Sequence, residues 1–379
     1  MNLFDICDIG GQSVKSFDGE KKYIATGDII NNEIISGEIV NYKSKPSRAN
    51  VEVGLGDVLF AKMMDTVKVL KVDELNKDYI YSTGFYCMTP KADILQDYLY
   101  LYFNSDSFNS QKNKNCSGAT QKAINNDGLS KIVIKSIPSV EEQKEIINKL
   151  SNINNLIKIK KEEIKKLNLL IKSQFVEMFD NKDFPYVKFK EYMERCVDIG
   201  SNGANAVVMD HYNMTDEKDY AMVIRFTNLN SGDFEKDVKY LNKDDYEFFC
   251  KSKVYGDEII FCKIGSAGMN YIMPRLDMPV TLGLNQIMVT PKDINTRYLY
   301  EYINSYEGKK YINNNINGAV TKTITKHALW EFPIKTPPIE LQNKFAQIAE
   351  QIDKQKFEFE SSLKKLEELQ ASLMQEYFG

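Results

Sequence analysis

PSVEEQKEIINKLSNINNLIKIKKEEIKKLNLLIKSQFVEMF, residues 138–179, contains no glycine and no proline after its first residue. A capping-box-like Ser139-Val140-Glu141-Glu142 follows that proline, so the stretch reads as one long helix. Ile146, Leu150, Ile153, Ile157, Lys160, Ile164, Leu167, Ile171, Gln174 and Met178 step by alternating fours and threes, the spacing of a coiled-coil seam. Such a seam requires a partner helix.

Working outward, the partner lies at the other end of the chain. An ungapped offset of 199 residues sets Pro138 on Pro337, Glu141 on Glu340, Gln143 on Gln342, Ile153 on Ile352 and Lys165-Lys166-Leu167 on Lys364-Lys365-Leu366. The second seam is Phe345, Ala349, Ile352, Lys356, Phe359, Leu363, Leu366, Gln370, Leu373 and Tyr377, in the same register. Lys160, Gln174, Lys356 and Gln370 interrupt the two seams, either as register-setting groups or as solvated gaps.

The segments before each helix repeat as well. Cys7-Asp8-Ile9-Gly10 has a counterpart in Cys196-Val197-Asp198-Ile199-Gly200, Gly56-Asp57 in Gly256-Asp257, and Thr89-Pro90-Lys91 in Thr290-Pro291-Lys292. Tyr98-Leu99-Tyr100 returns as Tyr298-Leu299-Tyr300, and Gly118-Ala119-Thr120-Gln121-Lys122 as Gly318-Ala319-Val320-Thr321-Lys322. Lys43–Asn50 and Asp210–Asp219 have no counterparts, so a shared scaffold carries divergent loops. The expected fold class is α+β. Two mixed α/β globules, 1–138 and 183–336, alternate with two long antiparallel coiled-coil helices, 139–182 and 337–379, as a pseudo-two-fold internal repeat. Short β-favouring runs at Lys22–Ala25, Val58–Lys62, Thr66–Val72 and Phe85–Met88 predict a mixed sheet, and the aromatic Asp97–Ser105 predicts a buried helix. A helix of about 40 residues, at roughly 1.5 Å each, places a globule at either end of a rod about 60 Å long.

At 379 residues the chain accommodates two or three domains. No apolar run approaches the roughly 18 residues of a spanning helix and no basic leader opens the chain, so the expectation is cytoplasmic, with no membrane partner. The six cysteines lack metal-ligand spacing and read as reduced small hydrophobes. His211 and His327 lack a neighbouring nucleophile or ligand, and Asp244-Asp245 reads as a solvated acidic pair. Neither phosphate-loop nor dinucleotide glycine spacing is present, so the chain reads as a binder with no catalytic residues and no bound metal. Its formal charge of −4 requires any basic surface to be local.

The duplicated globule, the Tyr-Leu-Tyr helix, the Gly-Ala-Thr-Gln-Lys turn and the Ile137-Pro138-Ser139-Val140-Glu141-Glu142-Gln143 helix start resemble the specificity subunit of Type I restriction-modification systems over essentially the whole chain. The second turn, Gly-Ala-Val-Thr-Lys, departs from that family's usual Gly-x-Thr-Gln. The resemblance implies a non-catalytic subunit that reads double-stranded DNA through two target-recognition domains, one per half of a bipartite site. It implies docking of two methyltransferase subunits on the helices, and an optional restriction endonuclease subunit. No cofactor is implied on this chain, since S-adenosylmethionine belongs to the methyltransferase. Half-sites about one DNA turn apart, roughly 34 Å, fit within such a frame. The competing reading is a coiled-coil protein–protein adaptor without DNA specificity.

Direct readout draws on Arg, Lys, Asn, Gln, Ser and Thr reaching base edges, with cationic groups on phosphates. The candidates in the first globule are Lys43, Lys45, Arg48, Asn50, Thr120, Gln121 and Lys122. In the second they are Lys263, Ser266, Asn270, Arg275, Thr321, Lys322 and Thr323. Ile147, Leu156, Leu170, Phe175, Leu369 and Met374 lie outside the seams and broaden the apolar face, which predicts partner contact.

Overall fold

The computed structural model describes residues 1–180 and 182–379. Two compact units emerge: Met1–Glu162 with Phe359–Gly379, and Glu163–Glu358. Each therefore combines a globule with the start or end of both long helices, Val140–Phe175 and Ile339–Phe378. The first helix ends in a π-helical turn, Val176–Asp180. Its expected boundary at 182 adjoins residue 181, which lies outside the described residues.

In the first unit a four-stranded antiparallel sheet runs in the order Cys7–Ile9, Phe85–Pro90, Val58–Ala61, Val69–Lys71. Its core face buries Val58, Phe60, Val69 and Met88 against Tyr98, Leu99, Tyr102 and Phe103 of the helix Gln96–Asn104. A second sheet, Glu38–Val40, Lys21–Ile24, Ile80–Ser82, Ala49–Val51, holds a parallel central pair. The mixed pairing expected of the core thus belongs to this outer sheet, while the sheet beneath the aromatic helix is wholly antiparallel.

The second unit repeats both sheets. Met193–Val197, Gln286–Pro291, Ile259–Cys262 and Asn270–Ile272 form the antiparallel one. Lys239–Leu241, Ala221–Ile224, Val280–Leu282 and Lys253–Val254 form the other, again with a parallel central pair. Strand register corrects one assignment. Val58 pairs with Met88 as Ile259 pairs with Val289, so the partner of buried Asp57 is buried Glu258 and not Asp257. Asp57 accepts from Gly54 N and Thr89 Oγ1 at 2.7 and 2.6 Å. Glu258 accepts from the backbone N–H groups of Tyr255 and Gly256. Both carboxylates tie off the turn that enters the central strand.

The expected solvation of Asp244-Asp245 holds only for Asp244. Asp245 is buried, accepts from Asn242 Nδ2 at 2.9 Å and lies 3.0 Å from His211 Nδ1, whose ring stacks on Phe248. The cysteines divide: Cys7, Cys87 and Cys262 are buried, whereas Cys250 is exposed. Burial, chiefly, pushes the Cys7 thiol up to about 12, which keeps it protonated.

The two seams close antiparallel inside each unit. In the first, Ile146 and Leu150 near the start of one helix pack with Leu373, Tyr377 and Phe378 at the end of the other. In the second, Ile171 and Phe175 pack with Phe345, Ala349 and Ile352. Ile164, Leu167, Leu363 and Leu366 are only half-buried, with Leu167 at the margin of the second unit's core. The seam's interruptions find partners: the Lys160 ammonium lies 4.0 Å from the Phe359 ring centroid, Gln370 donates to Asn154 Oδ1, and Gln174 donates to Glu177 Oε2 at 3.4 Å.

Candidate functional site

The glycine turns occupy the same place in both units. Ser117 and Ala123 exchange backbone hydrogen bonds of 2.9 and 3.0 Å across one, as Asn317 and Thr323 do at 2.9 and 2.8 Å across the other. Gly118 and Gly318 take φ of +129° and +97°, where a side chain is strained, and an added Cβ would lie 2.5 Å from Gln121 O and 2.1 Å from Thr321 O. Such closure turns Thr120, Gln121, Lys122, Thr321 and Lys322 outward as exposed residues, with Thr323 half-buried beside them.

Each turn is stitched to the segment leaving the central strand. Met64 N donates to Lys122 O and Ile124 N to Lys62 O, both at 3.0 Å, and Gly265 N and Ile324 N do the same to Lys322 O and Lys263 O. In the second unit this joins Lys263 and exposed Ser266 to Thr321, Lys322 and Thr323 in one surface. In the first, Lys62 N donates to Gly84 O and Thr83 N to Arg48 O, both at 2.9 Å, which links the 43–50 loop to the glycine turn through the 83–84 turn. Lys43 and Arg48 are exposed there, and Asn50 is half-buried. Lys45 donates to Ala49 O at 2.7 Å, so it braces its own loop.

Two candidates fall outside this surface. Asn270 is buried, donates to Gly268 O and accepts from Asn304 Nδ2 at 2.8 Å, which leaves it no edge for a ligand. Arg275 is exposed but pairs with Asp257 at 2.6 Å beyond the start of Ile259–Cys262, whereas Lys263 follows that strand's end. Of the apolar partner candidates, Leu156, Leu170 and Leu369 are exposed, while Ile147 and Met374 pack partly against the first unit's core. Phe175 corrects the expectation: it is buried against Tyr298 and Phe345, and so belongs to the fold rather than to a partner surface.

Residues that the sequence did not single out complete the surface. Lys326 opens the short helix Lys326–Trp330 and, with Lys263, grips Asp198: the ammoniums lie 3.0 and 2.7 Å from the two carboxylate oxygens, and Ser201 Oγ donates at 2.9 Å. Burial works to raise the Asp198 pKa, yet the hydrogen bonds from Lys263, Lys326 and Ser201 outweigh it and hold the carboxyl at about 2. In the first unit the Lys62 ammonium sits 4.3 Å from the Tyr86 ring centroid, and Tyr86 donates to Asn126 Oδ1 at 2.6 Å. Burial lowers the Lys62 pKa. Lysine spacing around 322–326 was the one available signal; the carboxylate that binds the pair is more than 60 residues away in sequence from either lysine.

What this arrangement offers chemically is hydrogen-bond donors and cations on rigid turns. Among the described residues, no group of three or more His, Cys, Asp or Glu side chains could hold a metal.

A family model described as "Type I restriction modification DNA specificity domain" matches residues 1–169 and 211–371. The chain is 27% identical over 172 residues to the Type I restriction enzyme HindI specificity subunit of Haemophilus influenzae, a match covering 44% of this chain and 37% of that protein. It is 24% identical over 343 residues to a putative type I restriction enzyme MjaX specificity subunit of Methanocaldococcus jannaschii, covering 82% of this chain and 76% of the relative. A solved structure, described as the structural basis of complex assembly and conformational transition of the type I R-M system, shares the fold with a TM-score of 0.63 at 18% identity, over 100% of this chain and 96% of the other.

Proposed function

The chain belongs to the Type I restriction modification DNA specificity family, and from that premise we propose that residues 1–138 and 183–336 are two target-recognition domains, each reading one half of a bipartite DNA site. One observation carries this reading: two copies of one scaffold present the same glycine turn with unlike side chains, Thr120-Gln121-Lys122 in one and Val320-Thr321-Lys322 in the other.

In this reading Lys43, Arg48, Asn50, Thr120, Gln121 and Lys122 serve the first half-site, and Lys263, Ser266, Thr321, Lys322 and Thr323 the second. Exposed Leu156, Leu170 and Leu369 dock methyltransferase subunits, which bring S-adenosylmethionine; an endonuclease subunit joins the same complex. The work is done in the cytoplasm, where chromosomal DNA lies. No helix among the described residues is long and apolar enough to cross a membrane.

The test is the methylome of a host with and without this chain. One bipartite motif, modified only when the chain is present, is the expected outcome. A methylation pattern indifferent to its deletion, together with gel shifts by the purified methyltransferase complex that show no sequence preference at any salt concentration, would refute the reading.

A further inference from the structure

The two units hold the lysine that follows the central strand in different ways. In the first, Lys62 faces the Tyr86 ring, and among the described residues it forms no ion pair with a carboxylate. In the second, Lys263 and Lys326 converge on Asp198, at 2.7 and 3.0 Å. The Asp198 side chain is only 9% exposed, but those of the lysines are 36% and 31% exposed. Both lysine side chains are therefore partly open to solvent while one anion already sits between the pair, and Lys326 Nζ also donates to Ser201 Oγ at 3.2 Å. The cluster adjoins the glycine turn, through Lys263 O accepting from Ile324 N at 3.0 Å.

An incoming phosphate bound to either ammonium would lie within a few ångströms of the Asp198 carboxylate, and like charges that close repel strongly where solvent is partly excluded. A neutral acceptor on a base edge meets no such repulsion, and it finds two donors already fixed in direction. We propose that Asp198 is a specificity-determining residue that withholds Lys263 and Lys326 from DNA phosphates and reserves their free N–H groups for uncharged base-edge acceptors. These two lysines then contribute little sequence-independent affinity. This inference rests on the DNA-reading function proposed above.

Asp198→Asn removes the charge and keeps a single acceptor oxygen, so one ammonium loses its partner and the other is held only by a neutral amide. The full chain in complex with its methyltransferase subunits is titrated with its cognate duplex and with an unrelated duplex over a salt series, and folding is checked by thermal melting. The variant is expected to bind the unrelated duplex about ten-fold more tightly, with the log–log salt slope steeper by about 0.9 for each ammonium released to a phosphate. Its preference for the cognate site falls accordingly. Lys326→Gln supplies a second arm that leaves Asp198 charged and does not depend on D198N folding. It is expected to weaken cognate binding and to leave the unrelated-duplex slope unmoved.

A folded D198N complex with wild-type affinity and slope on the unrelated duplex overturns the inference. So does a K326Q complex whose unrelated-duplex slope flattens by about 0.9, since that lysine was then already on a phosphate. In both cases a wild-type complex that still selects its site leaves the DNA-reading function standing. A wild-type complex that binds no duplex takes both down.

Discussion

Gln143 and Gln342 show what single residues contribute here. Each is buried in the first turn of a long helix and accepts from the backbone N–H that leads into the Tyr-Leu-Tyr helix: Leu95 N at 2.9 Å in one unit, Asn295 N at 2.9 Å in the other. Gln143 also donates to Asp93 O and Pro138 O, and Gln342 to Pro337 O. Gln143→Leu strands these backbone groups away from water, and a loss of about 2–4 kcal/mol in urea unfolding is expected. A loss under about 0.5 kcal/mol would show the contacts to be dispensable. Lys112 is the opposite case, a buried ammonium held by Thr66 O at 2.6 Å whose pKa burial lowers. Its partners are carbonyls of a distant loop, so nothing in the local sequence announces it. Asp198 has a pH signature with a definite sign. Its folded pKa, near 2, lies below the unfolded carboxyl value, so its stabilisation is complete above about pH 4 and disappears as pH falls toward 2. D198N should flatten that acid limb of a stability–pH profile; an unchanged limb would assign the acid sensitivity to other carboxylates.

At the scale of elements, the seams and the turns differ in how much a sequence can reveal. Every position of both heptad seams is buried or half-buried, because a 3.5-residue period is a local pattern and local patterns survive in the sequence. The glycine turns were legible as repeats, but not their closure, which depends on backbone partners as distant as Lys62 and Lys263. Gly318→Ala places a Cβ 2.1 Å from Thr321 O at φ +97°, and should cost about 1–3 kcal/mol and loosen Thr321 and Lys322. The check is weakened cognate binding with a lowered melting temperature; a variant as stable and as selective as wild type would show the turn to be tolerant. Strand register was the least legible element. The buried acid of the second globule is Glu258 because the turn before its strand is one residue longer, and that shift appears only once Ile259 is seen to pair with Val289. The burial of Asn270 and Phe175 is illegible in the sequence for a related reason: whether a side chain faces outward is decided by neighbours such as Asn304 and Tyr298, remote in sequence.

Across the whole molecule, the two units share a topology while their outer loops diverge, which makes recognition separable by design. Replacing residues 183–336 with the corresponding segment of another family member is expected to change one half of the methylated motif and preserve the other. Change in both halves would show that the readers are coupled. The units are also interleaved along the chain, since Phe359–Gly379 belongs with Met1–Glu162. Phe378 is buried with its ring centroid 5.3 Å from that of Tyr98 and 6.1 Å from that of Tyr102. Truncation after Glu358 removes Leu373, Tyr377 and Phe378 from that core, and rapid proteolysis of the first unit should follow, against a resistant full chain. Interleaving also has a consequence in time. As the polypeptide leaves the ribosome, the globule made first cannot finish its core until the segment after Phe359 has been translated. The globule made second needs only residues already synthesised by Glu358. Birth order and maturation order are therefore reversed, and a nascent chain stalled anywhere before its last helix presents a half-built early globule to chaperones and proteases.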